Sequence, residues 1–300
     1  MASGTEKIII LSNNKFMIMK QTFLAAMAVA ASLTACDNNS TVDVPTVPVR
    51  FFMQGDFSIA NTPFTRSLTA DGKDMTDVWV LDYVDGALVQ QLHQTSEDDD
   101  FGAPTLSLSV GSHHIYFIAS RGHGATLNTT AHTLTFTKVL DTFYKDLSLN
   151  VIATSNGSQS VTLDRVITKL RLTLEDAIPA TAATFNITPA SWHYGIDYTT
   201  GHPTSDTSSH TISVNIPSSN IGQTGLDVSI CSFSDLDVWT TDVVFDCKDG
   251  SGNNLGVAAI AAAPFVRNRV TEFSGPLFSA GGNMSLSLNA TWDTPHTDTW

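Results

Sequence analysis

Three thiols, nine histidines and a short acidic run are the side chains in this 300-residue sequence whose types and spacing could do chemistry. Cys36 ends the stretch Met19 to Cys36, in which Lys20 precedes an apolar run, Phe23 to Ala31, followed by Leu33-Thr34-Ala35-Cys36. A cation that stays on the cytoplasmic side, an apolar run too short for a permanent span and small residues before the cleavage point are the marks of a secretory signal. A thiol at that point can carry a thioether-linked glyceride and its palmitate-type acyl chains. Cys36 is therefore read as the lipidated residue of a lipoprotein signal peptide spanning residues 1–36. The sequence turns polar at once afterwards, through Asp37-Asn38-Asn39-Ser40. Residues 1–18 do not fit in front of such a signal, so Met17 or Met19 is the expected start.

Cys231 and Cys247 lie sixteen positions apart, each in an apolar run. In an oxidising compartment they would either close a disulfide across a hairpin or remain as two buried thiols, since spacing alone does not fix the Cβ geometry. No His-Glu-x-x-His, Cys-x-x-Cys or Gly-x-Ser-x-Gly occurs. His113 and His114 point to opposite faces if they lie in a strand and cannot chelate together. His193, His202 and His210 are scattered through a Ser/Thr-rich region. Asp98-Asp99-Asp100 lacks the alternating Asp-x-Asp-x-Asp-Gly arrangement of a calcium loop and reads as a solvated acidic turn. Gly281-Gly282 follows no helix and implies no phosphate cradle. Trp192, Tyr194 and Tyr198 would either stack on sugars or pack in the core or at a domain interface. No metal, cofactor or catalytic set is expected, and the reading is of a non-enzyme.

The elements that must carry these residues are strands. Hydrophobic residues make up 42% of the chain and charged residues 15%, with a net charge of −14. That balance argues against nucleic acid as a partner, because phosphate contacts need clustered Lys and Arg. A tether, residues 37–46, leads into period-two alternation at Val47, Val49 and Phe51. Met75 to Val84 is a strong strand with Trp79, Leu81 and Tyr83 on one face and Val78, Val80 and Val84 on the other. Asp85-Gly86 forms a tight turn into a partner strand, Ala87 to Leu92. Leu106 to Val110, Ile115 to Ala119 (apolar on both faces, as in a central strand), Leu134 with Phe136, and Phe143 to Ile152 follow. Val161 to Asp176 reads as one long strand whose apolar phase flips between Leu163 and Val166, as at a bulge or sharp bend. Further strands are expected at Thr184 to Ile187, Ile212 to Ile216, Leu226 to Phe233, Val238 to Cys247, Leu255 to Ala261, Arg267 to Phe273 and Met284 to Asp293. Outside the signal no segment keeps a helical period over three turns. The expectation is all-β: two tandem β-sandwiches, residues 47–177 and 178–300, with a boundary near Ala177.

The signal and tether, Val78-Trp79-Val80-Leu81-Asp82, Phe101-Gly102 with the run Leu106 to Ser120, the run Val161 to Pro179, and Arg267-Asn268-Arg269 together resemble the fimbrillin family of Bacteroidales pili. The resemblance covers nearly the whole chain after Cys36 and consists of strand patterns rather than chemistry. It implies two transthyretin-like sandwiches and a type V pilus (fimbrium) subunit or anchor. Such a protein is held on the outer membrane by lipid, faces outward, and supports cell adhesion. Its implied partners are other fimbrial subunits, in homo- or hetero-polymers, and host or bacterial surface ligands. Stalk members of the family are cut after an arginine, lose their first strand and accept a strand from a neighbour. Arg50 and Arg66 are the candidate processing positions, Arg66 being the more accessible by its context. Met284, Leu286, Leu288, Ala290 and Trp292 form the candidate donor face, unless they are simply the last strand of their own domain. The rival reading is a surface glycan-binding lipoprotein beside an outer-membrane uptake system.

Overall fold

The computed structural model describes residues 45–55, 75–122, 124–154, 157–204 and 209–279, together with the backbone of 285–289. Among them are twenty strands and one 3-10 turn, Ser218–Asn220. The first ten strands are β1 (Thr46–Gln54), β2 (Asp77–Val84), β3 (Ala87–Thr95), β4 (Thr105–Ser109), β5 (Gly111–Ser120), β6 (Ala125–Asn128), β7 (Thr133–Phe136), β8 (Thr142–Val151), β9 (Gly157–Thr162) and β10 (Asp164–Arg165). The second ten are β11 (Ile167–Leu174), β12 (Ala182–Pro189), β13 (Gly195–Asp197), β14 (His202–Pro203), β15 (Ile212–Asn215), β16 (Leu226–Phe233), β17 (Trp239–Asp249), β18 (Asn254–Phe265), β19 (Val270–Gly275) and β20 (Ser285–Asn289). The fold is all-β and sandwich-like.

Three layers form the first half. An outer sheet in the order β4-β1-β9 lies over a central sheet in the order β10-β8-β5-β2-β3. Strict alternation in β1 sends Val47, Val49, Phe51 and Met53 inward, where they meet Val78 and Val80 of β2 and Ile115, Phe117 and Ala119 of β5. The opposite face of the central sheet presents Trp79, Leu81, Tyr83, Tyr116 and Ile118 to a small sheet in the order β14-β13-β7-β6. Coverage from both sides is why β2 and β5 are buried almost without interruption, although an antiparallel sheet ordinarily leaves one face to water. The β2–β3 turn has positive φ at both Asp85 (50°) and Gly86 (78°), the type I′ geometry that suits a two-residue hairpin.

The small sheet joins the halves: β6 and β7 precede the second half, β13 and β14 belong to it, and Gly195 to Asp197 pair with Thr135 to Thr133. At Gly195 a Cβ would stand 3.2 Å from the Leu134 carbonyl oxygen and 3.0 Å from the Thr204 hydroxyl, so the absence of a side chain permits the approach. In the second half, a sheet in the order β16-β11-β19-β20 packs on one in the order β15-β12-β17-β18. Leu170, Leu172, Leu174, Val228 and Phe273 interdigitate there with Phe185, Ile187, Phe245, Ile260 and Phe265.

Two expectations change. Val161 to Asp176 is not one strand with a bulge. It is parts of three: β9 in the outer sheet, β10 in the central sheet and β11 in the second half. The apolar phase flips at Leu163–Val166 because the chain changes sheet there. Pairing likewise moves the break that was expected near Ala177. Thr168 lies opposite Ser232 and Leu172 opposite Phe273, so β11 already belongs to the second sheet system.

Arg165 secures the crossing. Its guanidinium Nε and Nη2 donate to the two Asp141 carboxylate oxygens at 2.7 and 3.0 Å, Nη1 donates to Asn268 Oδ1 at 3.1 Å, and its carbon lies 4.6 Å from the centre of the Phe143 ring. Backbone bonds run the same way: Asn268 N–H donates to Ile167 and Ser234 N–H to Val166. A planar bidentate donor fits this pair as lysine would not. Arg165→Ala should cost about 3 kcal/mol by urea denaturation, because it leaves the Asp141 carboxylate without its ion partner. Lys145→Ala, which breaks a solvent-exposed pair with Asp164 at 3.6 Å, should cost about 0.5 kcal/mol or less.

Candidate functional site

Among the described residues no group of three or more His, Cys, Asp or Glu side chains is placed to hold a metal ion. His113 and His114 do point to opposite faces. His114 pairs with Asp146 at the surface, whereas His113 is buried, with Nδ1 2.8 Å from Asp82 and Nε2 3.2 Å from the Ser109 hydroxyl. That line of Ser, His and Asp resembles a hydrolase triad, but its proton is committed elsewhere. His113 Nε2 also lies 2.8 Å from the Ser109 carbonyl oxygen, an obligate acceptor, so this nitrogen carries hydrogen and cannot take a proton from the hydroxyl. Burial pushes the Asp82 carboxyl above its ordinary range, against the pull of His113. His193 bonds the Thr204 carbonyl, His202 pairs with Asp235, and His210 sits against the Tyr194 ring, so these three do not converge. The acidic run is a closed turn: Asp98 accepts from the Thr95 amide at 2.6 Å and Asp100 from Gln94 Nε2 at 2.8 Å.

Cys231 and Cys247 do not form the disulfide considered above. Their strands, β16 and β17, follow one another in the chain but enter opposite layers, with Cys231 opposite Lys169 and Cys247 opposite Phe185. Burial pushes the Cys247 thiol up to about 11. Cys36 lies outside the described residues.

The feature with functional geometry is the outer sheet of the first half. β1 runs antiparallel to β4 and parallel to β9, so it is hydrogen-bonded along both sides. Phe51 N–H donates to the Pro104 carbonyl at 2.9 Å, and Leu163 N–H donates to the Gln54 carbonyl at 2.8 Å. Four alternate side chains, Val47, Val49, Phe51 and Met53, fill the core, and the Phe51 ring lies 5.1 Å from that of Phe117. Burial of that size amounts to roughly 6–12 kcal/mol as an upper estimate. Removing β1 would open a groove with an apolar floor and two unpaired edges, the form of site that binds an extended strand by main-chain bonds and alternate pockets. Arg50 lies in the middle of β1, opposite Thr105 on one side and Ser158 on the other, with its guanidinium 5.2 Å from the centre of the Phe52 ring. A protease that binds its substrate extended cannot take the Arg50 peptide while both neighbours hold it. Arg66 falls in 56–74, outside the described residues.

Of the candidate donor face, Leu286 and Leu288 lie in β20, the edge strand beside β19, opposite Phe273 and Thr271. Met284, Ala290 and Trp292 lie outside the described residues. The approach to β20 is held by Asp176, whose carboxylate accepts the backbone N–H groups of Leu277, Phe278 and Ser279 at 3.0, 2.7 and 3.1 Å. Desolvation pushes this carboxyl up, but the amides together outweigh it and hold it below its ordinary range. Of the three aromatics considered for sugar stacking, Trp192 and Tyr198 are fully buried. Trp192 Nε1 donates to the Cys231 carbonyl, and the Tyr198 hydroxyl bonds that of Tyr83. Only Tyr194 remains near the surface.

Sequence reasoning missed β6, β13 and β14, the Arg165–Asp141 clasp and the Asp176 latch. The three strands are two to four residues long, too short for any period to show.

No protein-family model matches this chain, and no curated protein matches it. Solved structures do. A candidate cell adhesion protein from Bacteroides ovatus superposes at TM-score 0.50 and 10% identity, covering 84% of this chain and 99% of that one. A candidate adhesin from the same species gives TM-score 0.50 at 10% identity, covering 77% and 88%. The tip fimbrial protein Mfa3 of Porphyromonas gingivalis, truncated at its C-terminus, gives 0.45 at 11% identity, covering 81% and 99%. At such identities the likeness is one of fold.

Asp176→Ala should raise amide hydrogen exchange at residues 277–279 and along β20. Its cost, about 1–2 kcal/mol at pH 7, reflects charge-assisted bonds at a partly exposed site. Because the folded carboxyl titrates below the unfolded one, that stability is complete above the unfolded value near pH 4 and fades as pH falls further, so variant and parent should converge at lower pH.

Proposed function

We propose that this protein is a surface subunit or anchor of a fimbrium, assembled by β-strand exchange and serving cell adhesion. The observation that carries the reading is the position of β1. It is the middle strand of an outer sheet, it supplies four alternate core side chains, and it is joined to β2 only through residues 56–74. One cut in that stretch, at Arg66, separates β1 from the rest of the chain while every other strand keeps its connection. The vacated groove then takes an alternating apolar strand from a neighbouring copy, for which Met284, Leu286, Leu288, Ala290 and Trp292 have the period. Cys36 holds the uncut form, or the basal subunit, on the outer membrane through its lipid. The fold shared with Bacteroides adhesins and the resemblance of the strand motifs to fimbrillins support this reading. The glycan-binding alternative has less to stand on, since Trp192 and Tyr198 are in the core.

Limited digestion with an arginine-specific protease provides the test. The expected result is one early cut at Arg66 with Arg50 spared, then a ladder of oligomers on native gels. Arg66→Ala should abolish both cut and ladder, and Leu286→Asp with Leu288→Asp should permit the cut and abolish the ladder. Early cleavage at Arg50, or a cut protein that stays monomeric after β1 has left, would rule out strand exchange in this sheet.

A further inference from the structure

The connection from β16 to β17, Ser234 to Val238, carries the chain from one sheet of the second half to the other. Both of its shoulders are fixed. Ser234 N–H donates to the Val166 carbonyl, and the Ser234 carbonyl accepts from Arg267 Nε at 2.8 Å. The Asp235 carbonyl accepts the Arg267 backbone N–H at 2.7 Å, and the Asp235 carboxylate pairs with His202 and Arg267. On the far side, Trp239 Nε1 donates to the Ser234 hydroxyl at 3.0 Å, and its ring packs against those of Trp192 and Phe265.

The tip between these anchors, Leu236-Asp237-Val238, is exposed throughout. Leu236 at 76% and Val238 at 67% are the most exposed large apolar side chains among the described residues, and neither joins a core cluster. Asp237 between them makes no hydrogen bond or ion pair among the described residues, whereas Asp235 is engaged at the base. Exposed aliphatics scattered singly are ordinary. Here two flank one unpaired acid on a tip whose base is hydrogen-bonded in place, so little conformational entropy is lost when it binds.

The unpaired acid specifies the partner. Pairs of exposed charges contribute little in water, so a lysine or arginine on another protein would reward Asp237 poorly. A hard divalent cation takes carboxylate oxygens directly as ligands. Among the described residues no group of three or more His, Cys, Asp or Glu side chains is placed to hold such a cation, so Asp237 offers a single ligand to a cation held by something else. We propose that Leu236-Asp237-Val238 is an adhesion contact: the Asp237 carboxylate fills the open coordination position of a divalent cation on the surface of a receptor protein, and Leu236 and Val238 enter apolar pockets beside it. The proposal rests on the adhesion part of the reading above and is independent of strand exchange, which concerns the sheet containing β1.

The test uses the full-length chain carrying Cys36→Ser and Arg66→Ala, so that neither lipid nor the proposed cut intervenes. The probe is a purified integrin headpiece of the kind that binds short Leu-Asp-Val peptides through a divalent cation. Surface plasmon resonance should show saturable binding in Mn²⁺, none in EDTA, and displacement by a free Leu-Asp-Val peptide. Asp237→Asn should weaken binding at least about tenfold, and Leu236→Ala and Val238→Ala should each weaken it severalfold. Asp99→Asn, at an exposed acid between β3 and β4, should leave it unchanged. Circular dichroism melting checks that each variant folds; should one fail, the EDTA result and the remaining variants decide. Absence of saturable binding, or binding that survives Asp237→Asn, would overturn the proposal. Binding that persists in EDTA and falls with rising salt would overturn it in favour of charge pairing with a basic surface. Binding here without an oligomer ladder on digestion of the Arg66 chain would uphold this contact and remove strand exchange; a ladder without binding would do the reverse.

Discussion

The structure depends on a central sheet, β10-β8-β5-β2-β3, that must be kept dry on both faces. Val78 and Val80 face one way from β2 and Trp79, Leu81 and Tyr83 the other, so this strand is not stable against water on either side. One face is covered by the sheet containing β1. The other is covered by a sheet assembled from both halves of the chain. The first half therefore cannot bury its own core without strands from the second, and the link between them is a requirement of packing rather than a tether. Arg165 sits where that requirement is most acute, at the point where the chain leaves one sheet for another, and its fork meets groups from both sides.

Much of this was legible in the sequence. Period-two alternation located β1, β2, β4, β11, β16 and β17, and the Asp85-Gly86 pair announced its hairpin, because each is a local signal that burial of one face reinforces. The phase flip between Leu163 and Val166 was visible too, but its cause was not. A bulge and a change of sheet leave the same mark, and only the partners of the flanking residues distinguish them. Strands β6, β13 and β14 left no mark at all, since each is too short for a period to show and the small sheet is completed only where β13 pairs with β7, some sixty positions away in sequence. The cysteines show the same limit: consecutive apolar strands suggest a hairpin, and nothing local tells that the two strands enter different layers.

The candidate site divides in the same way. That Arg50 sits inside a strand could be read from alternation alone. That this strand lies in the middle of its sheet, held on both sides by partners distant in sequence, could not. The burial of Trp192 and Tyr198 was likewise a matter of tertiary placement.

The parallel pairing of β1 with β9 also bears on the order of folding. Val49 lies opposite Gly157, more than one hundred positions on, whereas β2, β3, β5 and β8 pair in turn as neighbours. Contacts that close long loops form late, since the entropy of closure must be met before the pairing rewards it. The strands of the central sheet can thus pair with one another before β1 docks between β4 and β9. The last strand to enter rests on interactions absent from the earlier nucleus, so losing it need not disturb what formed first. A polymer that grows by exchanging this strand would reopen the final step of each subunit's own folding and complete it with another chain.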